Sequence, residues 1–383
     1  MTRLSRYRSR SRTYKGRFRD WVSGSPNSWT SVSLTRDSSC SDFRGRPVTD
    51  SPFDSEQRDG CLRLSGTIKS AYQPQNNRIT ELDEYPLSPS ISSSYLVPIA
   101  APGGWGLTVI ARTNPSRPVM TPLTLLQDLI ELPRMLAEVP SLLKNPSKFF
   151  TPKGASNAYL GTLFGWMPLV QDVKQLLDLG SAIDKRCKEL NRLYTARGLR
   201  RRIEMGSEHV AVPVTVSVAG QGSAIYYVPV SAQIEKKAWA TITWRPASPV
   251  PYHPGDASQI QLARKIVLGM TSEGMAKGLW DVLPWTWIVN WFTNVGQYAL
   301  AHSNTVPATH TAPCFMSKVV VQNVPGVPYS SGTLGCDVKV TCDMTYERRT
   351  RTVSTSSSPG CYVPFLDTSR LSILTALFIQ RFR

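Results

Sequence analysis

The period of hydrophobic positions changes several times along the chain, and each change marks a candidate element. From Leu125, the apolar residues Leu125, Leu126, Leu129, Ile130 and Leu132 fall at helical spacing. Thr121-Pro122 ahead of them reads as an N-cap with proline in the first turn. Pro133 and Pro140 lack an amide donor and interrupt this run. A longer helix is predicted after Pro168. Leu169, Val173, Leu176, Leu177, Ile183, Leu190 and Leu193 recur at steps of three and four or their sums, with Gly180 a weak point. That stripe is expected to face the core.

At Glu208 the pattern switches to period two. Val210, Val212, Val214, Val216 and Val218 alternate with smaller or more polar residues, a strand signature. Gly220-Gln221-Gly222 reads as a turn into a second strand at 225–230. A third strand carries Ala238, Ala240, Ile242 and Trp244 on one face. The three form an expected antiparallel meander, with Pro213 and Pro229 at edges or bulges. Helical spacing resumes over 257–301, broken near Gly274 and Pro284. Strands return at 316–322 and 338–346, 354–359 is a loop, and 369–383 is a closing helix. Between Asp20 and Pro118 the chain is rich in Ser, Pro, Gly and Asn, with short apolar runs at 95–99 and 107–110. Short strands and long loops are expected there, and no helix.

The blocks sum to an α+β protein in which helices pack together and strands form sheets, both regions discontinuous in sequence. The expected divisions are a basic arm (1–20), β-regions (21–120, 206–256, 304–365), α-regions (121–205, 257–303) and a C-terminal helix (366–383). No internal repeat is present. At 383 residues, one large core or two smaller ones can be buried.

Charge narrows the function. The 44 Lys and Arg against 27 Asp and Glu give +17, which suggests a polyanionic partner, nucleic acid or an anionic membrane. The N-terminal run places Arg6, Arg8, Arg10, Arg12, Lys15, Arg17 and Arg19 before the first acid, Asp20. A second cluster, Lys185, Arg186, Lys188, Arg192, Arg197, Arg200, Arg201 and Arg202, crowds the end of the long predicted helix. Positions 185, 188 and 192 share one helix side. Guanidinium forks pair with phosphates and stack on unpaired bases, so this cluster is the predicted RNA-binding set, together with Arg381 and Arg383 near the C-terminus. The N-terminal run is a candidate RNA or capsid contact.

Catalytic chemistry finds little support. His209, His253, His302 and His310 show no metal-ligand spacing, and no CxxC accompanies them. Residues 220–224 are not GxSxG and lie between strands; a hairpin turn explains them better. No phosphate-binding glycine loop is present. No enzyme, metal or cofactor is therefore expected. The seven cysteines are odd in number and give no disulfide framework. Cys336 and Cys342 on one strand would stand roughly 20 Å apart, too far to bridge. No apolar run follows the start, so no secretory signal is expected. Residues 282–301 carry Asn290, Asn294, Gln297 and Pro284, which suit a buried helix better than a membrane span. Trp280, Trp285, Trp287 and Trp291 lie among Ile288, Val289 and Val295, so a helix core is the expected role rather than a base-stacking platform.

Three blocks carry a resemblance. Phe164-Gly165-Trp166-Met167-Pro168-Leu169 with Asp172, the run 280–291 from Trp280 through Pro284 to Trp291 closing on Val295-Gly296, and the amphipathic 371–383 with Gln380-Arg381 are similar in order and spacing to the maturation proteins of the leviviruses, single-stranded RNA bacteriophages. Asn290 stands where an acid is expected in that family, and Thr286 where serine is common. The match covers about a third of the chain, chiefly the helical parts.

The resemblance implies an elongated virion protein, made in the bacterial cytoplasm. Its helical bundle would face genomic RNA (a 3′-end hairpin), and its β-region would project toward a host pilus. It also implies replacement of one coat-protein dimer. The rival expectations are a membrane-active lysis protein using the tryptophan-rich helix, and an RNA-processing enzyme with an unrecognised site.

Overall fold

The computed structural model describes all residues except 1–3, 23, 45–50, 71–78, 121–125, 127–129, 131–132, 134–150, 220–224, 251–254, 284–285, 294, 332, 355–367 and 383. The predicted helix at 121–132, the turn at 220–222 and the loop at 354–359 therefore lie largely outside the described residues, as do Pro284 and Arg383. The fold combines helices with a large antiparallel sheet, so the α+β expectation holds. Two compact units form: Met1–Ala101, Arg202–Thr241 and Cys314–Ser354 make a sheet unit, while Pro102–Arg201, Ile242–Pro313 and Thr355–Arg383 make a helical unit. Both are discontinuous in sequence.

In the sheet unit, the basic N-terminal segment is a strand and not an arm. β1 (Leu4–Val22) pairs along fifteen positions with β3 (Thr30–Arg44) and, at its far end, with β6 (Ile79–Leu87). Its register is marked by opposite charges set directly across from each other: Arg6 faces Asp42, Arg17 faces Asp83 and Arg19 faces Glu81. Such cross-strand pairs favour one alignment over its neighbours. A two-residue strand, β2 (Ser25–Pro26), folds back on the end of β1. β4 (Phe53–Asp59) and β5 (Leu62–Ser70) complete the N-terminal part.

The later strands are β7 (Leu199–Ala219), β8 (Ile225–Pro246), β9 (Ala308–His310), β10 (Cys314–Pro325), β11 (Tyr329–Ser331), β12 (Thr333–Cys342) and β13 (Thr345–Val353). The strand order is β11-β8-β10-β13-β4-β3-β1-β6-β5-β12, with β7 on β8. Leu62, Leu64 and Ile68 from one end of this path share a core with Val216, Val218, Tyr226, Val228 and Val230 from the other, so the sheet curls until its ends pack face to face.

Several predicted strands change here. The second and third strands of the expected meander are one 22-residue strand, β8, whose even-numbered residues Tyr226, Val228, Val230, Ala232 and Ile234 are buried in phase with Ala238, Ala240, Ile242 and Trp244. Pro229 interrupts nothing, because β8 exchanges partners there: Val230 faces Pro325 of β10, and Tyr227 faces Tyr329 of β11. Pro213 lies on β7, which among the described residues pairs only with β8 and forms an edge. The alternating run 338–346 is two strands, with Asp343 and Met344 between them: β12 pairs with β5, and β13 pairs with β10 and β4. Residues 199–205 belong to β7 and not to an α-region.

Helices α1 (Ser93–Leu96) and α2 (Trp105–Thr113) replace the strands and loops expected at 95–99 and 107–110. α1 belongs to the sheet unit. In α2, Leu107, Val109, Ile110, Ala111 and Thr113 are all buried, and burial on most sides erased the helical period that would have announced it.

The helical unit continues with α3 (Pro152–Gly161), a π-helical turn at Thr162–Trp166, α4 (Met167–Leu177) and α5 (Leu179–Leu193). The long helix expected after Pro168 thus breaks at Asp178. Its stripe also divides: Leu169, Leu190 and Leu193 are buried, whereas Val173, Leu176 and Leu177 are exposed. α6 (Ala257–Val267) and α7 (Ser272–Val282) are separated at Gly269 (φ +64°), and Gly274 lies inside α7 instead of breaking it. The predicted buried helix at 282–301 is the end of α7 plus two short pieces, α8 (Thr286–Phe292) and α9 (Val295–Ala301). The chain closes with α10 (Thr368–Phe382).

Hydrogen bonds lock these helices. The fully buried Gln259 of α6 donates to the Cys187 carbonyl (3.1 Å) and to Asn191 Oδ1 (2.7 Å) on α5. Asn114, after α2, donates to the carbonyls of Leu300 (3.0 Å) and Ser303 (2.8 Å).

Candidate nucleic-acid interface

α5 presents Lys185, Lys188 and Arg192 to solvent, as their shared helix side requires. Arg186 points the other way and is buried. Its Nη1 donates to the Pro115 carbonyl at 3.0 Å, its Nη2 donates to the Arg117 carbonyl at 2.8 Å, and it pairs with Glu189 at 3.2 Å. Arg186 therefore holds the segment after α2 and is not an exposed phosphate ligand, contrary to its sequence assignment. Burial pushes its guanidinium pKa down, partly offset by Glu189 and reinforced by the nearby Arg201 and Arg117.

Arg201 reaches the same carboxylate, 2.6 Å from Glu189. Arg117 joins from the segment after α2, and its Nη1 donates to the Arg112 carbonyl at 3.2 Å. Partial burial of its guanidinium, together with Arg112 and Arg201, pushes the Arg117 pKa down. Arg186 and Arg201 thus share one carboxylate, while Arg117, with Arg112 beside it, adds further positive charge next to them. Among the described residues, the Nε atoms of Arg186 and Arg201 are buried and unpaired. Such an excess of partly desolvated positive charge is costly unless an anion offsets it. Arg112 and Arg117 were missed in the sequence because each stands alone beside an apolar run; only the fold brings them to α5.

Arg197 and Arg200 are exposed in the helical unit. Arg264 and Lys265, in the last turn of α6, add exposed cations on the helix packed against α5. Arg202 lies in the sheet unit instead, 4.5 Å over the Trp239 ring. Arg381 belongs to α10, and Arg383 is outside the described residues.

The N-terminal cations are mostly engaged. Asp42 pairs with Arg6 (2.6 Å) and Arg8 (3.1 Å), Asp59 with Arg12, Asp83 with Arg17 (2.7 Å) and Glu81 with Arg19 (2.6 Å). Arg17 and Arg19 also lie 4.6 and 4.5 Å over the ring of Trp29. This is a charge mosaic and not a free basic tail. Arg10 and Lys15 are its exceptions among the described residues.

Of the family-like block residues, Trp166, Pro168, Trp280 and Trp291 are half-buried, in keeping with packing roles. Arg370 of α10, the residue just ahead of the third block, stands 5.5 Å over the Trp291 ring of the second. Gly296 lies close to Asn290 and the Trp280 indole: a Cβ there would stand 3.4 Å from Asn290 Oδ1 and 3.6 Å from Trp280 Nε1.

Cys40, Cys61, Cys187 and Cys342 are free thiols. Among the described residues, no group of side chains has a metal-holding arrangement, and no helix is long and apolar enough to cross a membrane. No known protein family and no curated protein matches this chain.

Proposed function

We propose that the chain is a non-enzymatic virion protein of a single-stranded RNA bacteriophage, which grips genomic RNA through its helical unit and attaches the particle to a host pilus through its sheet unit. The observation that carries the RNA half is the excess of positive charge where Arg186 and Arg201 share the single carboxylate of Glu189 with Arg117 and Arg112 close by, bordered by exposed Lys185, Lys188 and Arg192. Phosphate oxygens would offset that excess charge by bidentate pairing, while exposed bases of a hairpin supply selectivity.

The attachment half, the elongated bundle-and-sheet shape, the 3′-end hairpin, the exchange for a coat-protein dimer and the virion location rest on the three-block resemblance. The packing of Arg370 on Trp291 brings α10, which carries the third block, against the second.

The test is filter binding of the full chain to the phage's genomic RNA across a salt series. Each phosphate contact contributes a slope of about −0.7 in log K against log salt, so a steep line is expected. A flat line, or no binding, overturns the phosphate-clamp reading. Purified virions lacking this polypeptide would overturn the whole assignment.

A further inference from the structure

We infer that the depression around Arg10 on the sheet unit binds carboxylate side chains of an acidic protein surface; this rests on reading the chain as an attachment protein and names the chemistry of its partner. Side chains alternate along a strand, so Arg6, Arg8, Arg10 and Arg12 project from one face of β1, each about 7 Å from the next. Asp42 holds the first two and Asp59 holds the last. Arg10, between them, has no carboxylate among the described residues.

The residue directly across from Arg10 on β3 is Ser38, a small side chain whose Oγ accepts from the Arg58 amide at 2.9 Å. The face beneath Arg10 is therefore low and polar. It forms an open depression of about 370 Å3 lined by Arg8, Arg10, Arg12, Ser38, Ser55 and Arg58. Glu56 engages Arg58 at 2.5 Å, so Arg10 is the one lining guanidinium left over. A planar guanidinium fork with free donors matches a carboxylate in bidentate geometry.

The surroundings favour a protein over a nucleic acid. Glu56 and Asp59 line the depression and Asp42 pairs with its lining residue Arg8, so a continuous polyanion laid along β1 would meet repelling carboxylates beside the arginines. A protein surface offering isolated acids avoids that repulsion and complements one unpaired cation.

Lys15 supplies the control. It also lacks a partner among the described residues but projects from the opposite face of β1, so Lys15→Gln removes the same charge outside the depression. The full chain is titrated against a fluorescent peptide whose glutamates are separated by Gly-Ser spacers, at about physiological salt, read by anisotropy, with octauridylate as competitor. Arg10→Gln is expected to weaken peptide binding about tenfold and Lys15→Gln less than twofold, with octauridylate leaving the peptide in place. Equal losses in both variants, no peptide binding, or displacement by octauridylate overturns the proposal. Genomic-RNA binding is measured on the same samples. If the wild-type chain binds that RNA while Arg10→Gln leaves peptide binding unchanged, the groove alone fails. If the wild-type chain binds no genomic RNA, the underlying reading fails.

Discussion

Arg186 donates from Nη2 to the carbonyl of Arg117 at 2.8 Å, so a buried cation on α5 fixes the backbone that carries a second cation. The most buried arginine of the basic cluster therefore builds the surface, while its neighbours present it. Arg186→Met keeps much of the apolar stem but strands the Pro115 and Arg117 carbonyls and removes one partner of Glu189. Losing one side of a buried, hydrogen-bonded ion pair costs about 3 kcal/mol. Urea unfolding should register that loss, whereas Lys188→Met, on the exposed side of the same helix, should change stability by less than about 0.5 kcal/mol. Equal effects would remove the structural role assigned to Arg186.

α4 and α5 make the next contrast. Leu177 is 81% exposed and Leu190 is 1% exposed, although both belong to one leucine pattern in the sequence. Leu190→Ala should cost about 2–5 kcal/mol through lost burial and a residual cavity. Leu177→Asn should leave the unfolding midpoint of the isolated chain nearly unchanged. A large loss at Leu177 would mean that this face is covered in solution.

These two leucines show where the sequence stops being legible. Spacing of three and four announces helices at 169–193 because periodicity is local. Which half of the stripe is covered depends on α6, more than sixty residues away in sequence, and no local pattern encodes that. β1 hid for a related reason. Its alternation is arginine against serine, polar on both faces, so a reading based on hydrophobic period sees only a basic tail. What makes it a strand is the matching acids Asp42, Glu81 and Asp83 on two distant segments. β8 was underestimated because Pro229 looked like a boundary, while the chain uses it where one partner strand gives way to another. In the candidate site, the α5 cluster was visible as charge density, but the lone Arg112 and Arg117 needed the fold to reach it.

Acid should loosen the sheet unit. The Asp42 carboxyl is held below its ordinary value by its hydrogen bond from Arg6, Asp59 chiefly by the hydrogen bond from the Tyr14 hydroxyl and then by Arg12, and Glu81 chiefly by Arg19. Lowered folded-state values mean that the unfolded chain takes up protons first. The associated stability is present above the ordinary carboxylate values of about 4 and is lost as pH falls through the lowered ones. Asp172, pushed up by burial in the helical unit, works in the opposite direction. Urea midpoints should hold steady from about pH 7 to 5 and fall below about pH 4, and Asp59→Asn should flatten part of that fall. A midpoint that rises on acidification would refute the pairing network.

Gly66 sets a backbone test. Its φ is +139°, it sits at the irregularity where β5 shifts register against β6, and a Cβ there would lie 2.0 Å from the Asp337 carbonyl oxygen on β12. That neighbour is backbone and cannot swing aside. Gly66→Ala should therefore cost more than about 2 kcal/mol by strain and clash together. Gly180 of α5 has nothing within 4 Å of its would-be Cβ, so Gly180→Ala should stabilise by about 0.5–1 kcal/mol. Thermal unfolding of both variants separates the two glycines.

The proposed RNA interface makes a prediction that distinguishes phosphate ligands from scaffold. Lys188 and Arg192 are exposed on α5, and neither has a carboxylate partner among the described residues, whereas Lys277 of α7 is paired with Asp281 four residues on. A cation that neutralises a phosphate releases condensed counterions on binding, so its removal weakens affinity and also shallows the salt dependence by about 0.7 in slope. Lys188→Gln and Arg192→Gln should each do both, and the double variant should shallow the line by about twice as much. Lys277→Gln should move neither quantity, because its charge is already spent on Asp281. Arg186→Met forms a third class: it should weaken binding by disordering Arg117, in proportion to lost fold stability, and conditions that restore the fold should restore affinity. If all four variants shift slope equally, binding follows net charge alone and no defined interface exists on α5.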